Sequence, residues 1–212
     1  MTTKILKVAV NKNCINKENP QLVARGWSNV LVNLDWLMGW VQAGYGWCAT
    51  HFHEKHRLAD NSAGSNVIVI DFDGDTTLDA FWATQTAKDW CAATYTSASH
   101  TDSEHRFRAL FPLELDLTST GQHRGAYWLV VNRLVADLGI ESLKDNCGQK
   151  PERLWYGSKD ATVTYNEGAI VPEFLLKDID YEEATDFIPS NCEEIDVKRC
   201  QWLLREFLRP TD

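Results

Sequence analysis

The sequence predicts an α+β domain, and three features carry that expectation. Val67–Ile70 is a β-branched run set between a loop-forming stretch and Gly74, the pattern of a buried strand. Arg106–Leu113 sets Arg106, Arg108 and Leu110 against Phe107, Ala109 and Phe111, so one face of a strand is apolar and the other carries guanidinium groups. Helical patterns fall between such strands without the strict βαβ rhythm of a doubly wound sheet.

In chain order, Lys4–Val10 reads as a first strand and Asn11–Pro20 as a polar loop. A helix is expected from Leu34, with Asn33 as N-cap and Gly44 as its stop, because Leu34, Leu37, Met38 and Val41 recur at spacings of three and four. Asp60–Asn66 is a loop by composition. Thr76 or Thr77 caps a helix reaching about Lys88, and Cys91–Thr96 is a strand. Tyr127–Leu138 is an amphipathic helix ending at Gly139, while Arg153–Gly157 and Thr162–Tyr165 are short strands. Ile195–Leu208 closes the chain as a helix, with Trp202, Leu203, Phe207 and Leu208 facing the core. Residues 1–212 form one domain in this reading, with a core of about 30–172 and an acidic C-terminal segment and helix at 173–212.

Composition narrows the class. With 44% apolar and 24% charged residues in 212, wholesale disorder is excluded. Nine Trp supply much large apolar surface for burial. No apolar run approaches the ~20 residues needed to cross a bilayer, and the N-terminus lacks a signal peptide's apolar region, so a soluble, intracellular protein with no membrane partner is expected. The net charge is −9, which at first sight disfavours a nucleic-acid partner. Nine acidic residues and one Lys lie between Glu173 and Asp196, however, so the remainder of the chain is close to neutral. Six Cys (14, 48, 91, 147, 192 and 200) include no Cys-x-x-Cys pair, and reduced thiols are expected.

The most informative run is Val67-Ile68-Val69-Ile70-Asp71-Phe72-Asp73-Gly74-Asp75. Strand alternation puts Asp71 and Asp73 on the same face, one pleat apart, where their charges repel unless a cation intervenes. Hard divalent ions take oxygen ligands and use one or two carboxylates together with substrate phosphates. The plainer alternative is a solvated turn or a helix-capping cluster, which suits Asp75 and Asp79 better. Downstream, Tyr95–Arg108 joins strand to strand through a hydroxyl-rich loop with His100, His105, Arg106 and Arg108. Imidazole, hydroxyl and guanidinium donors suit phosphate oxygens, although such loops are also ordinary turns. Acids for metal and donors for phosphate together imply metal-dependent nucleotidyl or phosphoryl transfer.

Several ordered elements resemble the archaeo-eukaryotic primase superfamily, in particular primase-polymerase domains of phage, plasmid and other mobile-element replication proteins. The acidic element is similar to Ile68-Val69-Ile70-Asp71-Phe72-Asp73, and the Ser/His element to Tyr95-Thr96-Ser97-Ala98-Ser99-His100-Thr101. Arg106-Phe107-Arg108-Ala109-Leu110-Phe111-Pro112-Leu113 follows, then Asp145 and Arg153-Leu154-Trp155-Tyr156-Gly157. Upstream, Gly44–Cys48 and His56-Arg57 leading to Asn66 fit the approach to the acidic strand, so the likeness spans roughly Asn33 to Gly157. Where a strict Ser-x-His spelling has serine this chain has Ala98, flanked by Ser97 and Ser99. Asp137 is a neighbouring alternative to Asp145.

The resemblance implies an RRM-like mixed or antiparallel sheet flanked by helices. It implies that Asp71, Asp73 and Asp145 hold two Mg²⁺ or Mn²⁺ ions and that His100 contacts the nucleotide. Ser97, Ser99, Arg106 and Arg108 surround its phosphates, with Arg57 and Arg153 as lesser nucleotide or template contacts. A DNA primase-polymerase acting in the prokaryotic cytoplasm follows, with nucleoside triphosphates and single-stranded DNA as partners. A replicative helicase, in the same or a separate chain, is a further expected partner, since the sequence shows no helicase segment.

Other readings were open at this level. Cys48-Ala49-Thr50-His51-Phe52-His53-Glu54-Lys55-His56 holds zinc-capable residues, but the spacing matches no zinc-finger pattern and zinc is not expected. Trp27, Trp36, Trp40 and Trp47 suit base stacking or, more simply, core packing. A serine hydrolase built on Ser99 and His100 lacks a Gly-x-Ser-x-Gly elbow. A metal-dependent nuclease or a non-catalytic single-strand or origin-binding module are the alternatives to a polymerase.

Overall fold

The computed structural model describes residues 4–15, 23–117, 123–140, 143 and 150–177. Two antiparallel sheets organise them. The smaller has the order β2-β1-β3, from β1 (Leu6–Asn11), β2 (Ser28–Val32) and β3 (Gly46–Cys48). The larger has the order β4-β6-β5-β7, from β4 (Ser65–Asp73), β5 (Ala93–Thr96), β6 (Arg106–Leu117) and β7 (Val163–Tyr165). With helices between the strands, this is the expected α+β architecture.

The helices start where side-chain oxygens can satisfy their first amides. Asn33 accepts from Trp36 N to open α1 (Leu34–Gln42), which buries Leu37, Met38 and Val41 as the spacing predicts. Thr77 caps α2 (Leu78–Ala83) by accepting from Ala80 N. The single helix expected as far as Lys88 is instead two. Thr84 is extended (ψ 148°), donates to the Phe81 carbonyl and accepts from Ala87 N, so it ends α2 and starts α3 (Gln85–Trp90). A hydroxyl that competes for local backbone partners breaks the run. The fourth helix, α4 (His123–Asp137), brings Tyr127, Val130, Val131 and Leu134 into the core. A short α5 (Phe174–Lys177) ends the described chain.

Arg153–Gly157 does not form a strand. It touches β3 through one antiparallel bridge, Trp47 to Trp155, with both backbone bonds at 2.9 Å. Two residues on, Gly157 N donates to the Tyr45 carbonyl at 3.1 Å, and a Cβ there would collide with the Val41 carbonyl and the Tyr45 backbone, so this close passage requires glycine. The helix expected at Ile195–Leu208 and the acidic segment before it lie outside the described residues.

One face of the large sheet (Phe72, Phe107, Phe111) packs on Phe81 of α2, with ring centroids 5.3, 5.4 and 6.4 Å away. Among the described residues the outer edge of β4 is closed by side chains rather than by another strand. Asn66 accepts from Lys7 N and donates to the Ile5 carbonyl, tying β4 to β1, and the Tyr127 hydroxyl accepts from Val69 N at 2.9 Å. Tyr127 is fully buried, and burial pushes its hydroxyl pKa well up. Among the described residues no helix is long and apolar enough to cross a membrane.

Tyr127→Phe leaves the Val69 amide without that acceptor inside the core, which costs about 1–3 kcal/mol. Urea unfolding is expected to show a lower midpoint with an unchanged slope.

Candidate active site

The site grows out of strand register. β4 and β6 pair so that Asp71 faces Arg108 and Asp73 faces Arg106, and β5 places Tyr95 opposite Arg108. Cross-strand partners share a face. One row therefore reads Asp71, Arg108, Tyr95, Val163 across all four strands, with Asp73 and Arg106 in the row beyond. The acid pair and the arginine pair predicted from separate stretches of sequence thus meet on one surface.

The cations relieving the repulsion between the two carboxylates are the protein's own. Arg108 Nε lies 3.1 Å from Asp71 Oδ1, a close ion pair set off the line of a good hydrogen bond. Arg106 Nη1 lies 3.1 Å from Asp73 Oδ1, and its Nη2 lies 2.9 Å from Glu104 Oε1. The two rows differ in exposure. The Arg108 and Asp71 side chains are each 15% exposed, against 31% for Arg106 and 41% for Asp73.

Arg108 is gripped on several sides. Its guanidinium carbon sits 5.5 Å from the Tyr95 ring centre and 5.3 Å from that of Trp155, and Nη1 donates to the Tyr156 carbonyl at 3.0 Å. Trp47 of β3 donates from Nε1 to the Tyr95 hydroxyl at 3.2 Å, so the small sheet braces this end of the row. Burial works against the charge on Arg108, but Tyr95 and Asp71 outweigh it and the pKa ends above the usual value. Burial likewise pushes the Tyr95 hydroxyl up, with Arg108 opposing. The pKa of Arg106 is raised chiefly by its hydrogen bond to Glu104, with Asp73 adding to it.

The Ser/His turn docks on the same strand. Ser97 N donates to the Arg106 carbonyl, and Arg106 N donates to His100 Nδ1 at 3.1 Å. Ser97 Oγ and Ser99 Oγ lie 3.1 Å apart. Beyond β4, Gly74 (φ 81°) turns the chain, Gly74 N donates to the His105 carbonyl, and Asp75 Oδ2 accepts from Asp73 N. Asp75 therefore shapes this turn.

Other predicted residues fall elsewhere. Arg57 donates from Nε to the Val23 carbonyl and from Nη1 to the Glu152 carbonyl, beside the small cluster of Cys14, Trp27, Cys48 and Phe52. Arg153 lies over Trp155 with its guanidinium carbon 5.7 Å from the ring centre, while Asp145 lies outside the described residues. His51 Nε2 is 3.0 Å from the Val30 carbonyl, and Cys48 Sγ is 3.7 Å from the Glu152 carbonyl. Among the described residues no group of three or more His, Cys, Asp or Glu is placed to hold a metal ion. Trp27 and Trp47 are core residues, whereas Trp36 is 44% exposed and stacks on Trp40 with ring centres 5.1 Å apart. Cys14, Cys48 and Cys91 are buried thiols whose pKa values are raised, in each case chiefly by burial.

His105, the second imidazole donor that the sequence places in the loop, is tied to α2: its Nδ1 accepts from Leu78 N at 3.0 Å, and its ring lies 5.2 Å from that of His100.

An acidic strand end, an arginine strand and a Ser/His turn thus meet at one end of an antiparallel sheet in an α+β domain. The VapE N-terminal domain family matches residues 42–185, and the chain belongs to it. Among solved structures, the chain is similar to the AEP domain of the cyanophage S-2L primase-polymerase, at 10% identity and a TM-score of 0.46 over 82% of this chain and 88% of that one. No curated protein matches.

The unequal burial of the two rows sets unequal stakes. Arg108→Met strands Asp71 against Tyr95 and Trp155 and is expected to lower unfolding stability by about 3 kcal/mol. Arg106→Met, at the open end, is expected to leave the denaturation midpoint nearly unchanged.

Proposed function

We propose that the chain is a metal-dependent nucleotidyltransferase of the primase-polymerase type, acting on nucleoside triphosphates and a single-stranded DNA template. The observation that carries this reading is the paired rows Asp71–Arg108 and Asp73–Arg106, with His100 seated on the Arg106 amide. They bring carboxylate oxygens and phosphate-binding donors to one sheet surface, which is the charge pattern that triphosphate chemistry needs.

The carboxylates of Asp71 and Asp73 fit Mg²⁺ or Mn²⁺, which accept one or two such groups together with substrate oxygens. Asp145 remains the proposed third ligand. When bound, the ions supply charge neutralisation for the triphosphate and its pyrophosphate leaving group. Arg106 contributes positive charge at the open end. Its Nε, buried and without an acceptor, leaves its hydrogen-bonding capacity incomplete. Arg108 acts as a positioning residue, since its fork is already engaged by Asp71 and the Tyr156 carbonyl. His100 Nδ1 accepts a backbone N–H, so the neutral ring carries its proton on Nε2 and donates to a phosphate oxygen rather than acting as a base. Ser97 and Ser99 hold the turn that presents His100. In the reaction a hydroxyl oxygen, its proton passing to solvent, bonds to the α-phosphorus while the bond to the bridging oxygen breaks and pyrophosphate departs.

The test is primer synthesis or extension on single-stranded DNA with Mg²⁺ or Mn²⁺. Asp71→Ala/Asp73→Ala is expected to reduce incorporation by on the order of 10³-fold, and EDTA to abolish it. Full activity in the double variant contradicts the site. Shortening of labelled DNA without nucleoside triphosphates would instead indicate a nuclease.

A further inference from the structure

His105 repeats, from a different partner, the bonding of His100. A backbone N–H can only donate, so the bonds from Arg106 N to His100 Nδ1 and from Leu78 N to His105 Nδ1 occupy both Nδ1 lone pairs. A neutral ring in that state carries its proton on Nε2. Neither Nε2 has a partner among the described residues, and the rings stand edge to face at 5.2 Å and 81°. The molecule therefore holds two neighbouring imidazoles whose unused atoms are both N–H donors.

That tautomer decides what the pair can take. With no lone pair left, neither ring serves as a general base. Ligation of a metal through Nε2 would first require loss of its proton. Two neighbouring N–H donors suit an anion with several oxygens. Each ring is fixed by its own backbone amide, so the two donors can reach different oxygens of a polyphosphate. Arg106 is already shared by Glu104 and Asp73, so donors other than its guanidinium are needed for such an anion.

We propose that His105 is a second imidazole donor to the polyphosphate of the nucleotide, acting beside His100. This rests on the nucleotidyltransferase reading and adds a residue to it. His105 also has a structural duty, since its Nδ1 holds the Leu78 amide and its carbonyl holds Gly74 N. Two substitutions separate the duties. His105→Asn can keep an acceptor near the Nδ1 position but loses the distal donor. His105→Gln can keep a distal donor but loses the acceptor.

The experiment uses the whole chain with ¹⁵N-labelled histidine and long-range ¹H–¹⁵N spectra, titrated with inorganic tripolyphosphate and Mg²⁺, and separately with orthophosphate. Both rings are expected in the Nε2–H form, both Nε2 signals are expected to shift with tripolyphosphate, and orthophosphate is expected to bind much more weakly. His105→Asn is expected to weaken tripolyphosphate binding about tenfold, and His105→Gln distinctly less. Response of His100 alone, or an Nδ1–H form of His105, overturns this proposal and leaves the nucleotidyltransferase reading standing. Silence of both rings overturns both. Weaker binding in His105→Gln than in His105→Asn assigns His105 a structural role only and overturns the donor role.

Discussion

The arrangement depends on ion pairs held across a strand pair in fixed register. Side chains alternate with period two, so a slip of β4 against β6 by one residue would turn Asp71 and Asp73 to the Phe81 side and bring Phe72 to the arginine side. The register is defended from both faces. Phe72 stacks on Phe107 with ring centres 4.7 Å apart on one side, and Asp71–Arg108 and Asp73–Arg106 close the other. The apolar face sets the register and the polar face uses it.

Burial then divides the two rows by task. Trp155 and Tyr95 flank Arg108, so its charge is kept by Asp71, the Tyr156 carbonyl and two aromatic faces. Trp47 of the small sheet braces Tyr95 of the large one. The site is thus anchored at its inner end and open at its outer end, where Asp73, Arg106 and the His100 turn meet solvent.

The parts legible in sequence were those written in local patterns. Asn33 and Thr77 announced their helices by capping chemistry, and the alternation in Val67–Asp73 and Arg106–Leu113 announced the shared faces. What escaped reading depended on partners distant in the chain. β2 and β3 are short strands that exist because β1 pairs with both. Arg153–Gly157 has strand-forming side chains but meets β3 in a single bridge, Trp47 to Trp155. Thr84 splits a helix that its flanking residues favour. Repulsion between Asp71 and Asp73 was expected to call for a metal, yet each carboxylate has an arginine across the ladder, a pairing that only the register reveals. His105 looked like one polar loop residue among several, and its role follows from an amide of α2 far back in sequence.

This local balance also bears on how, under the proposed function, an acidic chain would address a polyanion. The Asp71–Arg108 and Asp73–Arg106 rows cancel formally, and Glu104 tips the open end toward negative charge. A triphosphate approaching this face gains little from net charge alone, so its affinity has to come from added cations and from donors that carry no charge. Neutral imidazole N–H groups are donors of that kind: they can bond a phosphate oxygen without pairing to Asp73 or Glu104. A guanidinium in the same place would be drawn to those carboxylates first. On the proposed function, the acids beside the site favour imidazoles over further arginines, and a divalent ion held by Asp71 and Asp73 would couple its arrival to phosphate binding.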